Sequence, residues 1–228
     1  MPTKVSILMP VFNGEKYLQE AIESILGQTF VDYEFLIIDD GSADQSFSII
    51  KEFGDSRIKL ERNGLNRGLV YSLNKGLDLA SGEYIARMDC DDISLPERLA
   101  KQVAFMDCHP EVGVCGTWVE SMDTGQIYRC LVDHESIQAG LLQTNQMAHP
   151  SVMIRTSVIR QHRLYYNPAF PYAEDYELWV RMAKLTRLAN LPEVLVRHRI
   201  HSLQISNLYQ KEQQEIADLI SRRQRDQD

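Results

Sequence analysis

Before residue 90 the chain repeats one pattern, and it restricts the fold more than any other feature: a short apolar run, a polar turn cluster, then apolar residues at helical spacing. Lys4 to Pro10 reads as a strand closed by Pro10 and Asn13-Gly14, and Leu18, Ala21, Ile22, Ile25 and Leu26 follow on one helical face. Phe35 to Ile38 is a second strand, broken by Asp39-Asp40-Gly41-Ser42; Ser42 or Asp44 is placed to cap a helix through Phe47, Ile50 and Phe53. Ile58 to Arg62 is a third strand, followed by a loop at Asn63-Gly64 and Asn66 to Gly68. A helix carrying Leu69, Leu73, Leu77 and Ala80 comes next and ends at Ser81-Gly82. Tyr84 to Met88 is the fourth strand.

Strands alternating with helices of this length predict an α/β fold: a central, mostly parallel mixed sheet flanked by helices, with ligands gathered at the carboxyl ends of the strands. The polar clusters fall at those ends. From about Val112 the rhythm changes. Val112 to Glu120, Gln126 to Val132 and Val152 to Ile154 read as strands and His134 to Leu142 as a helix. We therefore expect one domain over 1–206, with a nucleotide-side half of about 1–110 and an acceptor-side half of about 111–206. A polar helix or tail follows over 207–228, where Leu208, Ile216, Leu219 and Ile220 form a thin apolar stripe.

At 228 residues and 44% hydrophobic composition the chain buries a full core. With 32 acidic against 24 basic residues its net charge of −8 argues against a nucleic-acid partner. Cys90, Cys108, Cys115 and Cys130 form no CxxC pair and no zinc spacing, no leader segment is read, and reduced thiols of a cytoplasmic protein are expected. Apolar runs are strand-sized, well short of the roughly 20 residues of a membrane span.

The chemistry concentrates in acidic strand ends. Asp89-Cys90-Asp91-Asp92 follows an apolar strand directly, and a D-x-D turn there projects two carboxylates towards a hard cation. The bland reading is a solvated turn, with Asp92 capping a helix that starts near Pro96. Asp39-Asp40 ends a second strand of the same sheet, so two acidic tips converge. Two unit charges about 4 Å apart interact by about 4 kcal/mol at an effective dielectric of 20, so a diphosphate enters such a cleft only with Mg²⁺ or Mn²⁺. Glu174-Asp175 opens a third acidic cluster ahead of Leu178, Trp179, Val180 and Met182; helix starts favour carboxylates for capping alone, and the functional reading makes one of the two a base. His149, before Pro150-Ser151, and His201, after Arg197-His198-Arg199, are read in polar loops with a ligand or phosphate role open.

Taken together, Val5-Ser-Ile-Leu-Met-Pro-Val-Phe-Asn13, Asp39-Asp-Gly-Ser42, Gly82-Glu-Tyr-Ile-Ala-Arg-Met-Asp-Cys-Asp-Asp92 and Glu174-Asp175 resemble family 2 glycosyltransferases, from Lys4 to about Ser206. His149-Pro-Ser-Val-Met-Ile-Arg155 is similar to the bacterial members that build surface polysaccharide. The resemblance implies the GT-A fold, a nucleotide-sugar donor (a UDP-sugar by family frequency), a divalent metal and inversion at the anomeric carbon. It implies that Pro10, Val11, Phe12, Glu15, Asp40, Asn66 and Arg67 lie at the base and ribose pocket, with Asp40 accepting from the base. Asp89 would face ribose or metal and Asp91 would be the main metal ligand, with His201 completing metal or phosphate contacts and His149 beside the diphosphate. Asp175 would be the general base, with Glu174 orienting it or the acceptor. Cys90 stands where relatives often carry a small apolar residue; an exposed thiol there would be open to oxidation or a soft metal. The acceptor is a saccharide, free or lipid-linked; the second case places the enzyme at the inner membrane face, with the C-terminal stripe docking there or forming a homodimer.

Competing readings are weaker. A dinucleotide oxidoreductase needs G-x-G-x-x-G where this chain has Pro10-Val-Phe-Asn-Gly14. A nucleotidyltransferase lacks its glycine-rich basic loop, and a non-catalytic sugar-nucleotide module would not need both D-x-D and Glu174-Asp175.

Overall fold

The computed structural model describes residues 3–202 and 204–226, so only the last two residues of the expected tail, Gln227 and Asp228, and the first two of the chain lie outside it at the termini. The elements run β1 (Val5–Val11), α1 (Leu18–Leu26), β2 (Tyr33–Asp39), α2 (Ser46–Glu52), β3 (Ile58–Arg62), α3 (Leu69–Leu79), β4 (Tyr84–Arg87) and β5 (Ile93–Ser94). They continue with α4 (Arg98–Cys108), β6 (Val112–Ser121), β7 (Ile127–Tyr128), α5 (His134–Gly140), a 3₁₀ turn His149–Ser151, β8 (Met153–Arg155), α6 (Thr156–His162) and α7 (Glu174–Ala183). Last come β9 (Arg187–His198), α8 (Ile205–Leu208) and α9 (Gln210–Arg225).

One sheet, ordered β3-β2-β1-β4-β8-β6-β9-β5 with β7 against β6, runs through both halves of the chain. β3, β2, β1 and β4 are mutually parallel, whereas β8 enters antiparallel to both β4 and β6. Every residue of β1 and β2 is buried because helices cover both faces. Side-chain alternation sorts β1 between two cores: Leu8 packs with Leu73 and Leu77 of α3, while Ile7 and Met9 pack with Ile22 and Ile25 of α1 and Leu99 and Val103 of α4. The first core also takes in Trp179 and Met182 of α7 and Ile220 of α9.

Three sequence expectations are corrected. Of Gln126 to Val132 only Ile127–Tyr128 pairs as a strand. Beyond it the Trp118 indole N–H donates to the Cys130 carbonyl (3.0 Å), and Asn190 donates from its amide to the Leu131 carbonyl and from its backbone to that of Val132, which replaces a ladder. The helix at His134 stops at Gly140, two residues short. Arg197 and His198 belong not to a polar loop but to the end of β9, a twelve-residue strand parallel to β6. Pro192 falls where the pairing jumps from Thr117↔Leu191 to Trp118↔Val194, so the strand carries a proline only by breaking register there.

Candidate active site

Strand order places the cleft. β1 is followed by β2 on one side and flanked by β4 on the other, and the crevice between such strands, outside their carboxyl ends, is where open α/β sheets bind ligands. The segments leaving β1, β2 and β4 there are Phe12 to Glu15, Asp40 to Ser42 and Met88 to Asp92.

The first two segments are laced together. Asn13 N–H donates to Ser42 Oγ (3.0 Å), Gly14 N–H to Ser46 Oγ (2.9 Å) and Glu15 N–H to Asp44 Oδ2 (3.0 Å), while Glu15 Oε2 accepts from Gln45 N–H (2.9 Å). Asp44 Oδ1 accepts from Ser46 N–H at the start of α2, so of the two cap candidates Asp44 serves both the helix start and the lacing and Ser42 the lacing alone. Asp39 is fully buried and pairs with Arg62 Nε (2.9 Å). Asp40 accepts from Asn63 Nδ2 (2.7 Å), Arg67 N–H (3.0 Å) and Gly68 N–H (2.7 Å), so its carboxylate organises the 66–68 loop. That loop crosses Gly41, where φ is +75° and a Cβ would lie 2.7 Å from the Leu65 carbonyl carbon; only glycine fits. Pro10 and Val11 are buried and offer the cleft their backbone, whereas Phe12 is 46% exposed and Asn66 and Arg67 are exposed at the rim.

At the end of β4, carboxylate oxygens of Asp89, Asp91 and Asp92 all lie within 4.8 Å of one another. Asp92 is fully buried and does not cap α4, which begins at Arg98 without a side-chain cap. It instead accepts from His198 Nδ1 (3.0 Å) and Arg199 N–H (3.0 Å), tying the end of β9 beneath the cluster. Burial would lower the His198 pKa, but the Asp92 contact overrides it and pushes it up to about 9. His201 Nε2 meets Asp91 Oδ2 at 2.8 Å. Burial and the neighbouring Asp89 and Asp92 charges raise Asp91 to about 6. Three carboxylates so placed resist ionising together without a cation, and an oxygen set of this kind fits a hard divalent ion. The Cys90 thiol is pushed up by burial and by the surrounding carboxylates, so it stays protonated and is no soft-metal ligand.

Arg87, an arginine buried within the strand, joins this cluster to the other acidic pair. It forms an ion pair with Asp89, and its charge is felt by His149, Tyr166, Glu174 and Asp175. Glu174 is 4% exposed in the first turn of α7, and burial together with Asp175 raises it to about 7. Asp175, partly exposed, is raised by burial and accepts from Asn145 Nδ2 (2.7 Å). His149, in the 3₁₀ turn, shares a hydrogen bond with the Tyr166 hydroxyl (2.9 Å) and is held neutral by burial and by Arg87. The structure thus gathers Asp89, Asp91 and His201 into one cluster, and Arg87, paired with Asp89, extends its charge to His149, Glu174 and Asp175. Sequence reading overlooked Arg87, Asn145 and His198. Arg87 had a signal, a charge inside an apolar run; Asn145 had none.

The site is thus an acidic cluster suited to a hard cation at the switch point of the sheet, with a second acidic pair at the start of α7. Comparison with known proteins makes this specific. The profile of glycosyl transferase family 2 matches residues 6–162, and the chain belongs to that family. An uncharacterised glycosyltransferase of Haemophilus influenzae is 37% identical over 96% of this chain and 72% of its own length. The O-antigen biosynthesis glycosyltransferase WbnJ of Escherichia coli is 34% identical over 87% of this chain and 80% of its own. The E. coli protein named UDP-Glc:alpha-D-GlcNAc-diphosphoundecaprenol beta-1,3-glucosyltransferase WfgD is 31% identical over 89% and 79%. Among solved structures, S. aureus TarS 1–349 in complex with UDP-GlcNAc superposes with a TM-score of 0.80 at 23% identity, covering 95% of this chain and 65% of that one, which shows the GT-A fold. Among the described residues no helix is long and apolar enough to cross a membrane.

Proposed function

We propose that this chain transfers a sugar from a nucleotide-diphospho-sugar to an acceptor hydroxyl with inversion at the anomeric carbon. The observation that carries the proposal is a pair of acidic groups that both feel the Arg87 charge, one suited to a cation and the other holding carboxyls of raised pKa. The reading assigns Asp89 and Asp91, with His201, to a Mn²⁺ or Mg²⁺ ion, which when bound supplies positive charge to the departing diphosphate. A mannosyltransferase of Pyrobaculum calidifontis described in complex with GDP-Man and Mn²⁺ shares the fold, with a TM-score of 0.69 at 17% identity, and supports the choice of ion.

Asp175 takes the proton from the acceptor hydroxyl, with Asn145 fixing the carboxylate and Glu174 orienting the acceptor. The acceptor oxygen bonds to the anomeric carbon as the bond from that carbon to the diphosphate oxygen breaks, and the electron pair leaves with the nucleoside diphosphate. No covalent intermediate on the protein is required. Phe12, Asn66 and Arg67 border the base and ribose, above a floor set by Pro10, Val11, Glu15 and Asp40, and His149 sits beside the diphosphate. A UDP-sugar donor is supported by the TarS complex, and a lipid-linked saccharide acceptor at the cytoplasmic membrane face by the activity named for WfgD.

Calorimetric titration of UDP-, GDP- and dTDP-sugars, each with and without Mn²⁺, tests the reading. One nucleotide should bind only with metal. Asp91→Ala should lose that binding, whereas Asp175→Asn should keep it and lose donor turnover by about 10²- to 10⁴-fold, the usual contribution of a general base. Normal turnover by Asp175→Asn removes the base assignment; metal-independent binding removes the metal assignment.

A further inference from the structure

Tyr172 stands two residues before Glu174 with φ at +67°, in the left-handed region that a bulky side chain occupies only when its surroundings hold it there. Two groups do so, and both come from the start of α9. The Tyr172 ring lies flat on that of Tyr209, centroids 4.2 Å apart and planes 7° from parallel. The Tyr172 carbonyl accepts from Gln213 Nε2 at 2.7 Å. Tyr209 and Gln213 are one helical turn apart, joined by Gln213 N–H donating to the Tyr209 carbonyl (2.9 Å), so a single turn presents both groups to one residue.

The Tyr172 backbone N–H, two residues before Glu174, favours the charged form of that carboxyl and so opposes the effect of burial there. The charged groups that act on Glu174 are Asp175 on its own helix and Arg87 from β4, and the Tyr166 and Tyr172 hydroxyls feel its charge in turn. Turning Tyr172 out of the left-handed region would swing this N–H away and redirect the chain entering α7.

We propose that the first turn of α9 is a positioning element for the Glu174–Asp175 pair: Tyr209 and Gln213 hold Tyr172 in its left-handed conformation and thereby set where the two carboxyls lie. This rests on the reading of Asp175 as the base. The helix has its own anchors further along. Ile220 is buried, Ser221 Oγ donates to the Leu142 carbonyl (2.7 Å), Gln224 Nε2 donates to the Leu141 carbonyl (2.8 Å) and Arg223 lies over Phe170. Changes at Tyr209 or Gln213 therefore leave α9 docked.

The test uses the full chain and two readouts. Carbon-13 titration of the side-chain carboxyls gives the pKa of Glu174, which should rise by about half a unit or more in Tyr209→Ala and in Gln213→Ala through loss of the Tyr172 N–H. Tyr209→Phe, which keeps the stacked ring, should restore the parent value. With UDP-GlcNAc and Mn²⁺, both alanine variants should release UDP with a kcat about tenfold lower and an unchanged donor KM, the pattern of a lost positioning contact. The titration needs no substrate and decides alone: an unchanged Glu174 pKa in both folded alanine variants overturns the proposal. Full turnover by Asp175→Asn would sink the base reading but leaves the titration result standing, so the two failures are separable.

Discussion

Asp39, Asp40, Glu174 and Asp175 are all acidic residues near the ends of sheet strands or the start of α7, yet their surroundings treat them differently. Asp39 pairs with Arg62 and accepts from Ser42 N–H, Asp40 accepts from loop N–H groups, and both act as fasteners. Glu174 is buried beside another carboxyl, and its pKa is raised to about 7. A raised carboxyl pKa means that the native state holds its proton more tightly than the unfolded chain. Its contribution to stability is full below the unfolded value near 4.5 and is lost as pH rises through about 7. Glu174→Gln should abolish this loss. Urea midpoints at pH 5 and pH 8 should fall with pH in the parent and fall less in the variant, where Asp91 and His198 still contribute, a gain on the order of 2 kcal/mol at the higher pH. An equal fall in both proteins assigns the pH dependence elsewhere. Such a gain in stability from removing a site carboxyl is the usual mark of a group kept for chemistry. Glu174 and Asp175 were legible in the sequence because they precede an apolar helical face. The partners that decide their state were not: Asn145 comes from a loop about 30 residues earlier in the chain, and Arg87 reveals its role only once β4 is known to be covered on both sides.

Among the elements, the first four strands were legible because each apolar run ends at glycine, proline or aspartate and the intervening helices keep their period. β9 was not, since Pro192 and Glu193 interrupt it and its continuity comes from pairing with β6, a tertiary fact. Gln126 to Val132 had strand composition, but its carbonyls found side-chain partners in Trp118 and Asn190, and local propensity yielded to them. Helix α3 shows how closely element packing is specified. A Cβ on Gly76 would lie 2.1 Å from Leu8 Cδ1 and 2.6 Å from Cδ2, and Leu8 is only 1% exposed in the centre of β1. Gly76→Ala brings about 1 kcal/mol of helix propensity but overpacks this contact, which typically costs 1–3 kcal/mol. A net loss of about 1 kcal/mol is expected, read as a lower thermal midpoint. A rise would mean that α3 can slide away from β1.

At the scale of the whole molecule, the D-x-D cluster is a junction between distant parts of the chain. The segment leaving β4 supplies the carboxylates, and the end of β9, more than 100 residues later, supplies His198 and Arg199 to Asp92 and leads to His201 at Asp91. Arg98 of α4, fully buried, donates to the Arg87 carbonyl (2.7 Å) and fixes the strand end from below. A cation bound at this junction would engage groups from both halves of the sheet, so its binding should stabilise the global fold as well as the loop. Mass action gives about 2.7 kcal/mol at a free Mn²⁺ concentration 100 times the Kd, which for a chain of this size corresponds to a rise in thermal midpoint of roughly 5–10 °C. Asp91→Ala should remove the rise, while Glu174→Gln, outside the cluster, should retain it. The comparison is best made by calorimetry with Mn²⁺ alone, because a response that needs no nucleotide locates the cation on the protein before the donor arrives. A midpoint insensitive to Mn²⁺ in the parent, with donor binding still metal-dependent, would mean that the ion enters with the diphosphate and that the protein carboxylates complete its shell only then.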